Sequence, residues 1–135
     1  MTPLSKWRLT SEEENKVKDT LTSKLVKISD EKEMKSLLER LISESEYLML
    51  SKRLVAFVLI DEGYSDVQIA KILHFTRATA NRLRIIYKHA RELNEPVVKL
   101  VKEVKASEEL KKILQDILFK YLLPAAFGKI PLPKW

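Results

Sequence analysis

Three capping boxes in the first half of the chain restrict its fold more than any other feature. In a capping box, a Ser or Thr side chain accepts a hydrogen bond from the backbone N–H three residues later, and a Glu or Gln at that position bonds back. The boxes pair Thr10 with Glu13, Ser43 with Glu46, and Ser65 with Gln68. Asp30 and Ser107 are weaker forms of the same signal. Each cap predicts the start of a helix, so several short helices are expected.

The caps and the spacing of apolar residues together predict an all-α, multi-helix fold. The predicted helices span residues 11–28, 30–42, 45–62, 65–73, 76–93 and 107–122, with a shorter one at 96–105. Only two Gly and five Pro occur in 135 residues, which leaves few places for the tight turns of an all-β protein. The third helix is apolar on most faces and is predicted to be central to the core. The first two carry apolar stripes that look too exposed for a small monomer.

The chain is predicted to divide at residues 93–96. Residues 1–95 are interpreted as a compact helical domain and residues 96–135 as a C-terminal helical extension. Within the extension, 107–122 is amphipathic and is followed by an apolar tail. Proline interrupts this tail from Pro124 onward, so it is not expected to continue as a helix. The tail is expected to pack back on the protein.

The net charge and the amino-acid composition limit the classes of partner that this protein is expected to bind. The formal net charge of +6 favours anionic partners. There is no Cys, so neither a disulfide nor a thiolate metal site is available. The longest uninterrupted apolar run, 54–60, is far shorter than the roughly 20 residues of a membrane-spanning helix, and the N-terminus lacks the apolar stretch of a signal peptide. A soluble cytoplasmic protein without a membrane partner is predicted.

Nothing in the sequence indicates an enzyme. There is no Gly-rich phosphate loop and no nucleophile elbow. His74 and His89 are the only histidines, and they lie fifteen residues apart without a carboxylate at ligand spacing. The acidic clusters stand at predicted helix N-termini, where they oppose the positive end of the helix dipole. No catalytic residue, metal ligand or cofactor is therefore predicted.

Residues 70–91, AKILHFTRATANRLRIIYKHAR, contain six Lys or Arg, two His and no acidic residue. This stretch meets the requirements of a helix-turn-helix over 65–92, in which a short helix, a tight turn and a second helix with an exposed N-terminal end follow one another. Thr76 suits the N-cap of the second helix, and His74 takes the turn position often held by Gly. The apolar positions predicted to seal the pair are Ile69, Leu73, Phe75, Ala80 and Leu83, with the small Ala70 at the closest approach.

The outward face of the second helix, 76–92, carries side chains that suit DNA. Arg and Asn can bind guanine and adenine through two hydrogen bonds, and Thr and Ala can contact a thymine methyl. Residues further along the helix suit phosphate better than base edges. The alternative is a solvated basic face in a helical hairpin that never touches DNA. The outward residues are Arg77, Ala78, Thr79, Asn81, Arg82, Arg84 and Lys88.

A family resemblance rests on residues 53–82, RLVAFVLIDEGYSDVQIAKILHFTRATANR. An Arg and an apolar helix are followed by a Gly, a Ser-capped IA-x-x-L helix and the pattern T-x-A-T-x-x-R. The stretch resembles the tryptophan repressor family, in particular its repressor-like branch. The resemblance implies an intertwined homodimer that binds a pseudo-palindromic operator in double-stranded DNA. A transcriptional regulator, with repression the expected outcome, is therefore predicted in a bacterial-type cytoplasm, associated with the nucleoid when bound.

The resemblance also implies roles for individual residues. Val67 stands where tryptophan-responsive members use an Arg against a guanine, which implies a different operator. Asp66 lies among the phosphate-binding positions, although an acid is an awkward choice there. Base reading is implied for Arg77, Ala78, Thr79 and Asn81. The predicted phosphate contacts are Ser65, Gln68, Lys71, Thr76, Arg84 and Lys88.

The corepressor site of the family is altered in this chain. In tryptophan-responsive members, two Arg side chains sandwich the indole ring, and a Gly after the second leaves room for it. Arg82 fits the second Arg, and Lys52 or Arg53 falls at the first. Leu83 occupies the Gly position and would fill the indole slot, and Ile86 replaces a polar residue. Tryptophan is therefore not expected to bind, and no effector is identified.

Two other functions are consistent with the sequence. The chain can be a helical interaction module whose amphipathic segment 107–122 binds a protein partner, with the hairpin only structural. It can also be a ligand-sensing regulator with a site remodelled around Lys52, Arg53 and Arg82. A DNA-binding homodimer is the function that the residues favour.

Overall fold

The computed structural model describes residues 8–125, and the side chains of residues 8–120. These residues form seven helices and no strand, which confirms the all-α fold class. The helices are α1 (Ser11–Leu25), α2 (Glu31–Leu41), α3 (Glu44–Asp61), α4 (Asp66–Leu73), α5 (Arg77–Glu92), α6 (Pro96–Lys105) and α7 (Glu108–Ala125).

The predicted capping boxes are all present. The hydroxyl of Thr10 accepts a hydrogen bond from the backbone of Glu13 at 3.1 Å, and the carboxylate of Glu13 accepts one from the backbone of Thr10 at 2.8 Å. The boxes at residues 43–46 and 65–68 have the same reciprocal geometry. Asp30 and Thr76 cap α2 and α5 through their side chains. The sites at which helices begin thus follow from interactions that span three residues.

Two helix ends differ from the prediction. α1 ends at Leu25 instead of residue 28, because residues 26–28 form a turn and Asp30 adopts the extended conformation of the next N-cap. α7 continues to Ala125, so that Pro124 lies in its last turn. The proline cannot donate a backbone hydrogen bond, and α7 ends one residue after it. The remainder of the predicted tail, residues 126–135, lies outside the described part of the chain.

The chain divides into two compact units, Met1–Tyr47 and Leu48–Trp135. In the first unit, neither α1 nor α2 contains a buried residue. Val17 and Leu21, one turn apart on α1, are 59% and 48% exposed. Among the described residues, the apolar stripes of α1 and α2 are therefore exposed or only partly buried.

The second unit has one apolar core, to which α3 to α7 all contribute. The prediction that α3 is central is confirmed only for its second half. Leu48 and Leu50 in the first half are 55% and 52% exposed. The described part of the predicted extension shares this core, because α6 and α7 pack on the helices before them. The largest fully buried side chains are Tyr87, Leu59, Ile69, Leu114, Leu118, Val58 and Val101.

A carboxylate at the end of α3 connects three helices of the second unit. Asp61 accepts hydrogen bonds from the Tyr87 hydroxyl at 2.9 Å and from the Lys105 ammonium at 2.7 Å. Lys105 also lies 2.5 Å from the carboxylate of Glu62. Phe57 stacks on the ring of Tyr87 with 5.4 Å between ring centroids. The network ties α5 and α6 to the end of α3.

The same contacts shift the pKa values of the three groups. Burial alone would raise the pKa of Asp61, but the hydrogen bonds from Lys105 and Tyr87 outweigh it, and the net shift is downward. Burial and the bond to Asp61 raise the pKa of Tyr87 to about 12. Burial would lower the pKa of Lys105, but its hydrogen bonds to Asp61 and Glu62 raise it. All three shifts favour the charge states that hold the network together.

We predict that Asp61→Asn lowers the free energy of unfolding at pH 7 by about 1–3 kcal/mol, because Lys105 and Tyr87 lose an anionic acceptor. Since folding lowers the pKa of Asp61, its contribution is present above the ordinary value near 4 and is lost as the pH falls through the lower folded pKa. The difference from the wild type should therefore shrink at pH 3. Urea unfolding followed by circular dichroism at both pH values tests this.

Glu12→Gln provides the control for this prediction. Glu12 lies 3.4 Å from Lys16 on the exposed surface of α1, and both side chains are largely solvated. Its substitution should leave stability nearly unchanged. A loss for Asp61→Asn that is equally large at pH 3 and pH 7 would contradict an electrostatic origin.

Candidate nucleic-acid interface

α4 and α5 are joined by a tight turn whose conformation depends on one residue. His74 has φ 58° and ψ 47°, in the left-handed region that the sequence required at this position. The backbone N–H groups of His74 and Phe75 both donate to the carbonyl of Ala70. These two hydrogen bonds satisfy a backbone carbonyl in the last turn of α4, and the chain then turns directly into α5. Thr76 then caps α5 by accepting from the backbone of Thr79 at 3.1 Å.

The inner face of the α4–α5 pair is apolar, as predicted. Ala70 is buried where α4 and α5 pack together. Phe75 is only partly buried and packs on the edge of the core. Ile72, which the sequence pattern left without a role, is also buried. The other predicted sealing residues, Ile69, Leu73, Ala80 and Leu83, are all buried.

The start of α5 is exposed and carries the predicted base-reading residues. Thr79 is half-buried, and its hydroxyl accepts a hydrogen bond from Thr76 at 2.9 Å. The first turn of a helix presents free backbone N–H groups and the positive end of the dipole, and α5 has no acidic residue there to offset it. An anion or an electronegative base edge is therefore favoured at this end. The exposed residues of this face are Arg77, Ala78, Asn81, Arg82 and Lys88.

Asp66 at the start of α4 binds two residues of α5. One of its carboxylate oxygens accepts from the Arg84 Nε at 2.5 Å, and the other accepts from the Asn81 side-chain amide at 3.0 Å. Arg84 also donates to the backbone carbonyl of Tyr64. The hydrogen bond from Arg84, together with that from Asn81, holds the pKa of Asp66 below its usual range. Asp66 therefore fixes α4 against α5 as an ionised carboxylate.

This contact changes the role of Arg84. The sequence placed Arg84 among the phosphate contacts, but its guanidinium is partly buried and paired with Asp66. A guanidinium engaged with a carboxylate and a carbonyl has little charge to offer a phosphate. Arg84 is therefore better described as a structural residue. The acid at position 66, which was unexpected beside a phosphate, has its explanation in the same pair.

The other predicted phosphate contacts differ in whether their side chains already form hydrogen bonds or ion pairs with described residues. Ser65 and Gln68 bond to each other in the capping box of α4. Thr76 is exposed but is committed to capping α5. Lys71 and Lys88 are exposed, and neither is in an ion pair among the described residues.

One of the three residues of the predicted effector site lines a cleft. Lys52 lies with its ammonium 5.7 Å from the centroid of the Phe75 ring, a cation–π distance, and it lines a cleft beside α4. Arg53 and Arg82 are exposed and are not among the described residues lining that cleft. Leu83 is buried in the core, and Ile86 is exposed.

The amphipathic face of α7 is mostly used within the chain. Leu114 and Leu118 are fully buried, and Leu110 and Ile117 pack against the core beside them. Ile113 remains 54% exposed. Phe119 is also 60% exposed, so the described part of this segment uses some of its apolar side chains in the core and leaves others accessible.

Comparison with protein-family models, with curated proteins and with solved structures found no match to this chain. Within residues 8–125, no helix has both the length and the apolar character needed to cross a bilayer. The described residues also include no cluster of three or more His, Cys, Asp or Glu arranged to hold a metal ion.

We predict that Asp66 and Arg84 are energetically coupled. A double-mutant cycle of Asp66→Ala and Arg84→Ala should give a coupling free energy of about 1–2 kcal/mol in urea unfolding, because the pair is partly buried and charge-assisted.

The pair of Lys111 and Glu108 on α7 provides the matched control. Its ammonium and carboxylate are 3.3 Å apart, and Glu108 is largely exposed. Its cycle should give less than about 0.5 kcal/mol. Equal coupling in the two cycles would show that the Asp66–Arg84 contact has no special role.

Proposed function

We propose that this protein is a sequence-specific DNA-binding transcriptional regulator of the tryptophan repressor type. In this proposal α4 and α5 form a helix-turn-helix, and α5 enters the major groove. The observation that carries the proposal is the start of α5, where exposed Arg77 and Ala78 stand at the positive end of a helix with no acidic first turn. A basic face that contacts only solvent would not require an exposed first turn that contains no acidic residue.

The residues near the start of α5 can contact base edges in the major groove. Arg77 can donate two hydrogen bonds to guanine, and Asn81 can pair with adenine once its amide leaves Asp66. Ala78 and Thr79 can contact a thymine methyl. Lys71 and Lys88 are the side chains free to bind phosphate, and the backbone N–H groups at the caps of Ser65 and Thr76 can add to them. Arg84 is omitted from this set because it pairs with Asp66.

We also propose that the regulator is a homodimer. The support is the uncovered apolar surface of α1 and α2, which a globular monomer would leave in water. A second copy related by two-fold symmetry would cover this surface and would place two copies of α5 on one face of the DNA. Tryptophan is not proposed as a corepressor, because Leu83 at the expected indole position is part of the core.

The DNA-binding proposal predicts that Arg77→Ala with Thr79→Ala abolishes selection of a defined duplex from a random library. The two side chains are removed from the exposed start of α5, so the helices should stay folded by circular dichroism. Binding of the selected duplex by the wild type should weaken steeply with salt, because each neutralised phosphate adds about −0.9 to the slope of log K against log salt.

A control double substitution, Lys112→Ala with Gln115→Ala, removes an exposed basic and polar pair from α7. It should leave the selected sequence unchanged. Unchanged selection by the α5 variant would refute base reading by α5. An affinity that does not respond to salt would favour a protein-interaction module instead.

The homodimer proposal predicts that Val17→Lys with Leu21→Lys converts the protein to a monomer. Both side chains are on the exposed apolar stripe of α1, so the charges would be buried only by a second copy. Light scattering after size exclusion measures the mass. Asn15→Lys with Thr22→Lys adds the same charge on another face of α1 and should leave the dimer intact. A wild-type mass of one chain would refute the proposal.

A further inference from the structure

A cleft in the second unit lies between the first half of α3, the end of α4 and α7. Its volume is about 860 Å³, which is within the range of about 300–1,000 Å³ typical of small-molecule sites. We refer to it as the α3/α4/α7 cleft. Its walls are formed by the apolar residues Leu48, Val55, Ile72, Leu73, Ile113 and Ile117.

The described lining of this cleft includes three lysines. Ammonium groups come from three different helices, since Lys52 is on α3, Lys71 is on α4 and Lys120 is on α7. His74 and Ser51 complete the described lining, which contains no acidic residue. None of the three lysines is in an ion pair among residues 8–120. Three uncompensated cations beside an apolar wall favour an anion attached to an apolar body.

We propose that the α3/α4/α7 cleft binds a small amphipathic anion, a molecule with an elongated apolar body and one anionic head. The apolar body would lie on the walls contributed by α3 and α7. The head would be bound by Lys52 and Lys71, where charge-assisted hydrogen bonds provide orientation as well as affinity. The proposed ligand is a free molecule in solution and not a lipid in a membrane surface. The proposal does not depend on DNA binding.

The charge of the cleft also decides between this ligand and the other occupants that the chain itself could supply. Residues 121–135 are apolar, but they contain two Lys and no acidic residue, so they do not complement a basic cleft. A second copy would offer α1 and α2, whose exposed faces carry Lys as well as Glu. A single anionic head on an apolar chain matches both features of the cleft at once.

The cleft differs from the effector site that the sequence suggested. That site was built around Lys52, Arg53 and Arg82, and only Lys52 is part of the described lining here. The residues that replace the other two are on α4 and α7. The proposed ligand therefore lies at a different place and is held by lysines of three helices.

The test is calorimetric titration of the full chain with laurate, below the concentration at which laurate forms micelles. Saturable binding with one site per chain is expected, and dodecanol, which has the same chain without the charge, should bind about tenfold more weakly or worse. Lys52→Met with Lys71→Met should weaken laurate binding by a similar factor and leave dodecanol binding unchanged. Ile113→Glu places a negative charge on the exposed part of the wall and should abolish laurate binding without unfolding the chain.

Lys112→Met is the control, because Lys112 is an exposed lysine of α7 that is not among the described lining residues. It should bind laurate like the wild type. A cleft already covered by residues 121–135 or by a second copy would show no saturable binding, and that result would overturn the proposal. Equal binding of dodecanol and laurate, or binding to phosphatidylglycerol vesicles without binding of free laurate, would overturn it too.

Discussion

The geometry of the second unit depends on the carboxylate of Asp61. A carboxylate at the C-terminal end of a helix is unfavourable by itself, because it adds to the negative end of the dipole, and here Glu62 follows it directly. The hydroxyl of Tyr87 and the ammonium of Lys105 compensate for it, and they do so from α5 and α6. This contact and the stacked ring of Phe57 hold the buried face of α5 beside α3, so that its basic side chains lie on the opposite, exposed face.

Features that depend on neighbours in sequence could be predicted from the sequence. The capping boxes, the left-handed conformation of His74 and the N-cap at Thr76 each involve residues within one helical turn, so the residue types determine the structure. The apolar spacing likewise identified the buried face of the α4–α5 pair. It could not place Ile72, because that residue packs outside the pair and forms part of the wall of the α3/α4/α7 cleft.

Contacts that cross between helices could not be predicted. Arg84 lies eighteen residues from Asp66, and Lys105 lies forty-four from Asp61, so their pairing depends on the angles at which the helices pack. The sequence accordingly placed Arg84 on phosphate, although the acid at position 66 was a sign of an internal partner. The cleft could not be predicted for the same reason. Its lysines come from α3, α4 and α7, and their positions in the sequence do not indicate that they line one cleft. The exposed first half of α3 was not predicted either, since an apolar helix was predicted to be central to the core.

The hydrogen bond between Asn81 and Asp66 has a consequence for selectivity in the proposed complex with DNA. A side chain that must leave one partner to gain another contributes only the difference between the two interactions. A base edge that forms one hydrogen bond with Asn81 would only replace the hydrogen bond to Asp66. Adenine can form two hydrogen bonds with Asn81, so binding adenine would give a net gain. In the proposed complex the carboxylate would therefore compete with the DNA for Asn81, and the side chain would leave Asp66 only where a base edge offers it more than one hydrogen bond.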